Sequence, residues 1–245
     1  MLLGFRTLFS RLRGPASLWA AQVAPSGMAD MPSYLTSFAA CAELSRRLGA
    51  PSMSLCPTGS PSNDLHDVVG RAMKLVGVET RHLPGMAGQC LKWSHFLAPA
   101  IADVAGTAAW PTLGQFWKNQ TQLFGMAWPT LHEIWRRGAH PADLAARGAE
   151  GLNWHAWITL ATGEIIDLTF PSTLAAVHPS THGMLAGRVA CGVADEIFPD
   201  HRYYPMLAGS SVIEALQARS TMPFLADDVD DLALVQRAIV PFITI

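Results

Sequence analysis

The stretch from residue 153 to residue 170 constrains the fold of this chain more than any other, because it has the pattern of a β-hairpin. Two runs rich in β-branched and aromatic residues flank a turn that contains Thr162 and Gly163. His155 opens the first run and Asp167 lies late in the second. Because strand side chains alternate between faces, the length of the loop decides whether these two residues meet.

A three-residue loop at 161–163, with Gly163 in the left-handed conformation, places His155 opposite Thr169. His155 is then diagonal to Asp167 on the same face, about 7–8 Å away and within side-chain reach. A two-residue Thr-Gly loop would place the pair on opposite faces. The hypothesis that His155 and Asp167 act together therefore depends on the turn.

Composition excludes several classes of protein. The 245 residues are 50% apolar and 15% charged, enough for a sizeable core in one large domain or two small ones. A net charge of −2 lacks the basic excess of a nucleic-acid-binding surface. The longest apolar stretch, 97–110, contains Asp103, so no membrane span is predicted. The four cysteines show no CxxC spacing, which favours a reduced, cytoplasmic protein.

Residues 1–27 differ in composition from the rest. They carry Arg6, Arg11 and Arg13, and no acidic residue occurs before Asp30. This pattern is typical of a transit segment, which would give an organellar location, or of a basic membrane-surface helix. The alternative is a poorly ordered tail. We interpret 1–27 as a basic tail or targeting-like segment that precedes a single domain at 28–245.

The clearest predicted helix covers residues 64–76. Asn63 or Asp64 caps it, an apolar stripe runs along one face, and Gly77 ends it. A strand is predicted at 78–83 and a mostly helical insertion at 86–150. Within the insertion, Trp-Pro-Thr-Leu occurs at 110–113 and again at 128–131, and each copy is a predicted helix start because proline suits the first turn.

These elements suggest nucleophilic catalysis. Cys56 lies in the loop before the predicted helix, and a helix N-terminus favours a thiolate. A histidine on a neighbouring strand can exchange the thiol proton, and an aspartate behind it fixes the tautomer and orientation of the ring. Cys56, His155 and Asp167 would then form a Cys-His-Asp triad for acyl transfer or amide hydrolysis.

Here the sequence resembles the transglutaminase-like branch of the papain-like cysteine enzymes. The likeness rests on two blocks: the helix-to-strand passage at 68–81, and the hairpin, with His155-Ala-Trp and Asp167-Leu-Thr. In that family the helix begins with the nucleophilic cysteine and ends in a Gly-Ile-type turn into a strand. The histidine opens a following strand, and the aspartate precedes Pro-Thr or Leu-Thr.

The nucleophile position departs from the family pattern. Counting back from Gly77 by the family's helix length reaches Ser62, and Cys56 lies further upstream. Cys56 could reach the site if its loop folds back, Ser62 could be a substituted nucleophile, or the site could have lost its nucleophile.

The other cysteines are weaker candidates. Cys41 falls within a predicted helix, and no helix start is predicted at Cys90 or Cys191. A metal site that adds His66 and Asp67 to the hairpin pair is a further alternative, although adjacent helix positions diverge by about 100°.

The sequence therefore predicts an α+β fold, in which a small antiparallel sheet packs on a central helix, papain/transglutaminase-like, with a helical insertion. The expected function is that of a cysteine hydrolase or acyltransferase acting on an amide or peptide-type bond. His155 would be the base, Asp167 the orienting acid and Cys56 the provisional nucleophile, without a cofactor. The alternative is an inactive domain of the same fold that binds a peptide or small molecule in its cleft.

Overall fold

The chain is built around a six-stranded sheet in which every pairing is antiparallel. This computed structural model describes residues 19, 22, 23, 25–57, 64–145 and 152–234. The strand order is β2-β1-β3-β4-β5. Strand β6 pairs with the edge of β1 opposite the edge that β2 and β3 share. The strands are β1 (Ala109–Lys118), β2 (Thr121–Phe124), β3 (His155–Leu160), β4 (Glu164–Asp167), β5 (Ala190–Val193) and β6 (His201–Ala208).

Helices cover the sheet and connect its strands. The α-helices of the described residues are α1 (Tyr34–Arg47), α2 (Leu65–Leu75), α3 (Cys90–Ala105), α4 (Trp128–Arg137), α5 (Pro141–Ala145), α6 (Phe170–Val177), α7 (Pro179–His182), α8 (Ser210–Arg219) and α9 (Val229–Ala233). Short 3-10 helices occupy Met28–Asp30, Thr80–Met86 and Gly183–Leu185. The prediction of an α+β chain with a small antiparallel sheet is confirmed.

The predicted helical insertion at 86–150 is wrong in part, because it contains β1. This strand pairs with β3 and β2 along one edge and with β6 along the other. Leu113 and Phe116 are both almost fully buried, and the strand is covered on both faces over most of its length. A strand buried on both faces lacks the alternation of polar and apolar residues that identifies strands in a sequence.

The two Trp-Pro-Thr-Leu copies adopt different structures. The second copy starts α4, with Pro129 in the first turn as predicted. The first copy lies in β1, where Pro111 pairs with Ile158 of β3. Gly114 follows the first copy, and glycine disfavours a helix, whereas the second continues with good helix formers.

Two helices pack on the sheet: α1 packs against β6, and α3 packs against β1 and β3. The predicted central helix exists as α2, with Asp64 as its N-cap and Gly77 beyond its end, but it packs mainly on α3. The predicted strand at 78–83 is wrong, since the chain forms the 3-10 helix Thr80–Met86 there. His82 Nδ1 accepts a hydrogen bond from the Glu79 backbone N–H at 2.8 Å, a local bond that competes with strand pairing.

The hairpin has the predicted register. Thr159 pairs with Ile165, Ile158 pairs with Ile166, and Gly163 is left-handed with φ of 88°. The loop therefore has three residues, and His155 lies on the same face of the sheet as Asp167.

Some predictions concern residues outside the described ranges. These are Ser62, most of the 1–27 segment and residues 239–245, whose apolar composition predicts a last strand. Within the described ranges, no helix has the length and apolar character needed to span a membrane.

Candidate active site

Asp167 lies at the end of β4 and accepts four hydrogen bonds. Its Oδ1 accepts from the backbone N–H groups of Thr169 and Phe170 at 3.1 and 3.0 Å, at the start of α6. Its Oδ2 accepts from the Tyr203 hydroxyl at 2.9 Å and from His155 Nε2 at 2.6 Å. The carboxyl group has no exposure to solvent. Donors on both oxygens stabilise its charge inside the protein and fix its direction.

His155 opens β3 within an aromatic enclosure. Its ring stacks on Phe124 at 4.9 Å between centroids and lies 5.5 Å from Phe116, and only 1% of the residue is exposed. Burial alone would lower the pKa of His155, but the Asp167 carboxylate and the Cys90 thiol outweigh it and raise the pKa above its ordinary value. The ring therefore keeps its proton on Nε2 and can hold a second proton on Nδ1.

Cys90 lies in the wall of the cavity that His155 also lines. It is the first residue of α3, and its Sγ lies 4.0 Å from the carbonyl oxygen of Trp154, the residue before His155. The Cys90 thiol contributes to the raised pKa of the ring. Nε2 is engaged with Asp167, whereas Nδ1 has no well-formed hydrogen bond to any described residue. Nδ1 is therefore the ring atom that can exchange a proton with Cys90.

Cys56 does not reach this site. Its backbone N–H donates to the carbonyl oxygen of Ala161 at 2.7 Å, and Ala161 lies just beyond the end of β3 opposite His155. Six strand residues at about 3.3 Å each separate the two positions by roughly 20 Å. The geometry therefore replaces Cys56 with Cys90 as the candidate nucleophile, and the loop that holds Cys56 does not fold back onto the histidine.

The start of α3 was missed in the sequence because Pro99 lies inside this helix and proline ordinarily breaks one. A usable signal was present. The helix that begins at Cys90 ends at Gly106, which is left-handed with φ of 64°, and a strand follows. The sequence pattern instead points to the same order of cysteine, helix, glycine and strand around α2, one helix too early.

The N-terminus of α3 lies next to the sulfur. The first N–H groups of a helix have no partners within the helix. Gln89 is the N-cap residue, and its side chain makes no capping hydrogen bond. Together with the helix dipole, these N–H groups favour negative charge at Cys90 and on an oxygen bound beside it.

Thr173 connects the acid side of the site to the cysteine side. Its hydroxyl donates to the Thr169 carbonyl oxygen at 2.9 Å and accepts from the Gly88 N–H at 3.1 Å. Thr169 follows Asp167 by two residues, and Gly88 precedes Cys90 by two. The Thr173 hydroxyl therefore sets the spacing between the segment that carries Asp167 and the segment that carries Cys90.

The remaining candidates lie elsewhere. Cys41 is buried inside α1 and Cys191 is in β5 opposite Ile166. His66 and Asp67 are exposed on α2, where Asp67 pairs with Arg71 at 2.9 Å. Across the described residues, no three His, Cys, Asp or Glu side chains are placed to hold a metal ion.

A small cavity opens in front of Cys90 and His155. Its volume is about 40 Å³, and its other walls include Phe124, Met222 and Phe224. A reacting carbonyl group could enter this space and meet the sulfur, the ring and the start of α3 together.

Comparisons of the chain with protein-family models, curated proteins and solved structures gave no match.

Proposed function

We propose that this protein is a transglutaminase-like cysteine enzyme that hydrolyses an amide or peptide-type bond or transfers its acyl group. Cys90 is the nucleophile, His155 the acid–base group and Asp167 the residue that orients the ring. One observation carries the proposal: the thiol at the start of α3 lines the same small cavity as a buried histidine whose Nε2 is 2.6 Å from a buried aspartate.

The reaction proceeds in two halves. The Cys90 proton rests on His155 Nδ1, and the thiolate sulfur attacks the carbonyl carbon, whose oxygen takes the negative charge beside the N-terminus of α3. When the oxygen re-forms the carbonyl, the bond to the leaving amine breaks and His155 returns the proton to that amine. In the second half His155 deprotonates water or an acceptor amine, which attacks the thioester and releases Cys90.

The order of elements supports the family resemblance. Cys90 opens a helix that ends in glycine and leads into a strand, and the His-x-Trp strand and the Asp-Leu-Thr segment follow. With Cys90 in place of Cys56, each position that the family pattern requires carries the residue type it needs. An available thiol also favours the enzyme over an inactive binding domain.

Trapping of an acyl-enzyme tests this function. The full chain is mixed with 4-nitrophenyl acetate, quenched in acid and digested, and each cysteine peptide is measured by mass spectrometry. We expect an acetyl group on Cys90 in the wild type and in Cys56→Ser, and no acetyl-Cys90 in His155→Gln. If Cys90 stays unmodified while exposed Cys56 is acetylated, the chain is the inactive alternative.

A further inference from the structure

The cavity in front of Cys90 is small for a site that would accept a peptide. A cavity of about 150 Å³ accommodates benzene. The 40 Å³ beside Cys90 is about a quarter of that and admits about two or three heavy atoms. A carbonyl carbon, its oxygen and one methyl group fill such a space, whereas the side chain of an amino acid does not fit beside them.

The described walls also lack a charge that could bind an ionic substrate group. Apart from His155, the charged residue among them is Lys92. Its Nζ donates to the carbonyl oxygens of Asp231 and Leu234 at 3.1 and 3.0 Å, at the end of α9. The lysine is thus committed to the backbone of the C-terminal segment, and the walls favour an uncharged, apolar group.

The outer wall is held in place by its backbone. It consists of Met222 and Phe224 in the segment that follows α8. Gln217 of α8 donates to the Met222 carbonyl oxygen at 3.3 Å and accepts from the Phe224 N–H at 2.8 Å. The Phe224 ring packs edge-on against Trp154 at 6.0 Å. Because both ends of the wall are bonded to one side chain, its distance from Cys90 is fixed by the fold.

We propose that this site takes short, uncharged acyl groups of up to two carbons, and that Met222 and Phe224 set the upper limit on chain length. This inference rests on the proposed function, and it specifies the acyl half of the substrate. The Cys90 sulfur bonds to the acyl carbon, and the leaving group departs with a proton from His155 through the open side of the cavity. Water or an amine then removes the short acyl group as a free acid or an amide.

The test compares acylation by 4-nitrophenyl acetate, propionate and hexanoate in the full chain, with release of nitrophenolate as the rate and peptide mapping to place the acyl group on Cys90. The wild type should react with acetate at least about tenfold faster than with hexanoate, since one surplus methylene in a hydrophobic pocket costs about 10- to 200-fold. Phe224→Ala and Met222→Ala should lower that ratio by about tenfold or more, because each removes part of the wall.

Met184→Ala is the matched control, since Met184 is 82% exposed and lies outside the cavity walls. This variant should keep the wild-type ratio. Phe224→Leu provides a second wall variant with a smaller loss of volume, and it should fall between wild type and Phe224→Ala.

Two failures are distinguishable. If Cys90 is acylated by hexanoate as fast as by acetate, or the wall variants keep the wild-type ratio, the chain-length inference is overturned and the proposed function stands. If no ester acylates Cys90, the proposed function is itself overturned.

Discussion

Replacing Asp167 by asparagine changes one oxygen into an amide nitrogen at the centre of the hydrogen-bond chain. The new side chain keeps Oδ1, which still accepts from the Thr169 and Phe170 N–H groups. In place of Oδ2, Nδ2 donates to His155 Nε2. The ring must then accept at Nε2 and carry its proton on Nδ1, the side that faces Cys90. A ring in that tautomer cannot take the thiol proton.

The expected loss follows from these contacts. Holding the base in the wrong tautomer should lower the rate of Cys90 acylation on the order of 10⁴-fold. Tyr203 also loses its acceptor on the charged oxygen, 2.9 Å away, and a hydrogen bond to a charged group contributes about 1.5–3 kcal/mol. The variant should therefore remain folded, with a lower free energy of unfolding that urea denaturation can measure.

The assay is single-turnover release of nitrophenolate from 4-nitrophenyl acetate. Glu164→Gln is the matched control, because Glu164 begins the same strand, is buried, and accepts a hydrogen bond from Thr162 at the end of the strand away from Asp167. It makes the same change from acid to amide and should leave the acylation rate within about twofold of wild type. A folded Asp167→Asn chain that acylates Cys90 at the wild-type rate would refute the role given to the carboxylate.

Three further outcomes follow. Thr173→Val removes the hydroxyl that spaces the segments of Asp167 and Cys90 and should lower kcat/KM at least about tenfold, whereas Thr173→Ser should retain activity. Gly114→Ala should destabilise the chain by about 1–3 kcal/mol, since its Cβ would lie 2.1 Å from a backbone oxygen of β6. Gly70 lies in α2, and an added Cβ would meet no atom within 4 Å. Gly70→Ala should therefore stabilise the chain by about 0.5–1 kcal/mol. Equal unfolding midpoints for these two variants would contradict the packing described.

A further prediction concerns pH. The pKa of His155 is raised in the folded state, so its contribution to stability is complete below about pH 6.5 and decreases as pH rises through the folded-state value. The stability difference between wild type and Asp167→Asn should therefore shrink by up to about 1.4 kcal/mol per pH unit above that point. Urea denaturation across this range measures it, and a difference that grows with pH would contradict the assignment.

The hairpin and α2 could be predicted from the sequence because their signals are local. Gly163 supplies the left-handed turn position, which fixes the loop length and therefore the faces of His155 and Asp167. Asp64 and Gly77 mark the ends of α2, and its apolar stripe shows which face is buried. Each of these features depends on residues within a few positions of one another.

The nucleophile could not be predicted in the same way, because its position depends on contacts distant in the chain. Cys90 meets His155 only because α3 packs on β1 and β3. Two of these three elements were concealed: Pro99 interrupts the helix pattern of α3, and burial on both faces removes the alternation of β1. The sequence therefore predicts α2 as the catalytic helix in place of α3, and with it Cys56 as the nucleophile in place of Cys90.

The most direct test of the central claim is the order in which cysteines react with iodoacetamide. Cys56 is exposed, whereas Cys90 is half-buried, so accessibility alone predicts that Cys56 reacts first. Activation by the start of α3 and by His155 predicts that Cys90 reacts first in the wild type. In His155→Gln we expect Cys90 to lose that advantage and Cys56 to react first. Faster modification of Cys56 in the wild type, or an unchanged Cys90 rate in His155→Gln, would contradict the account.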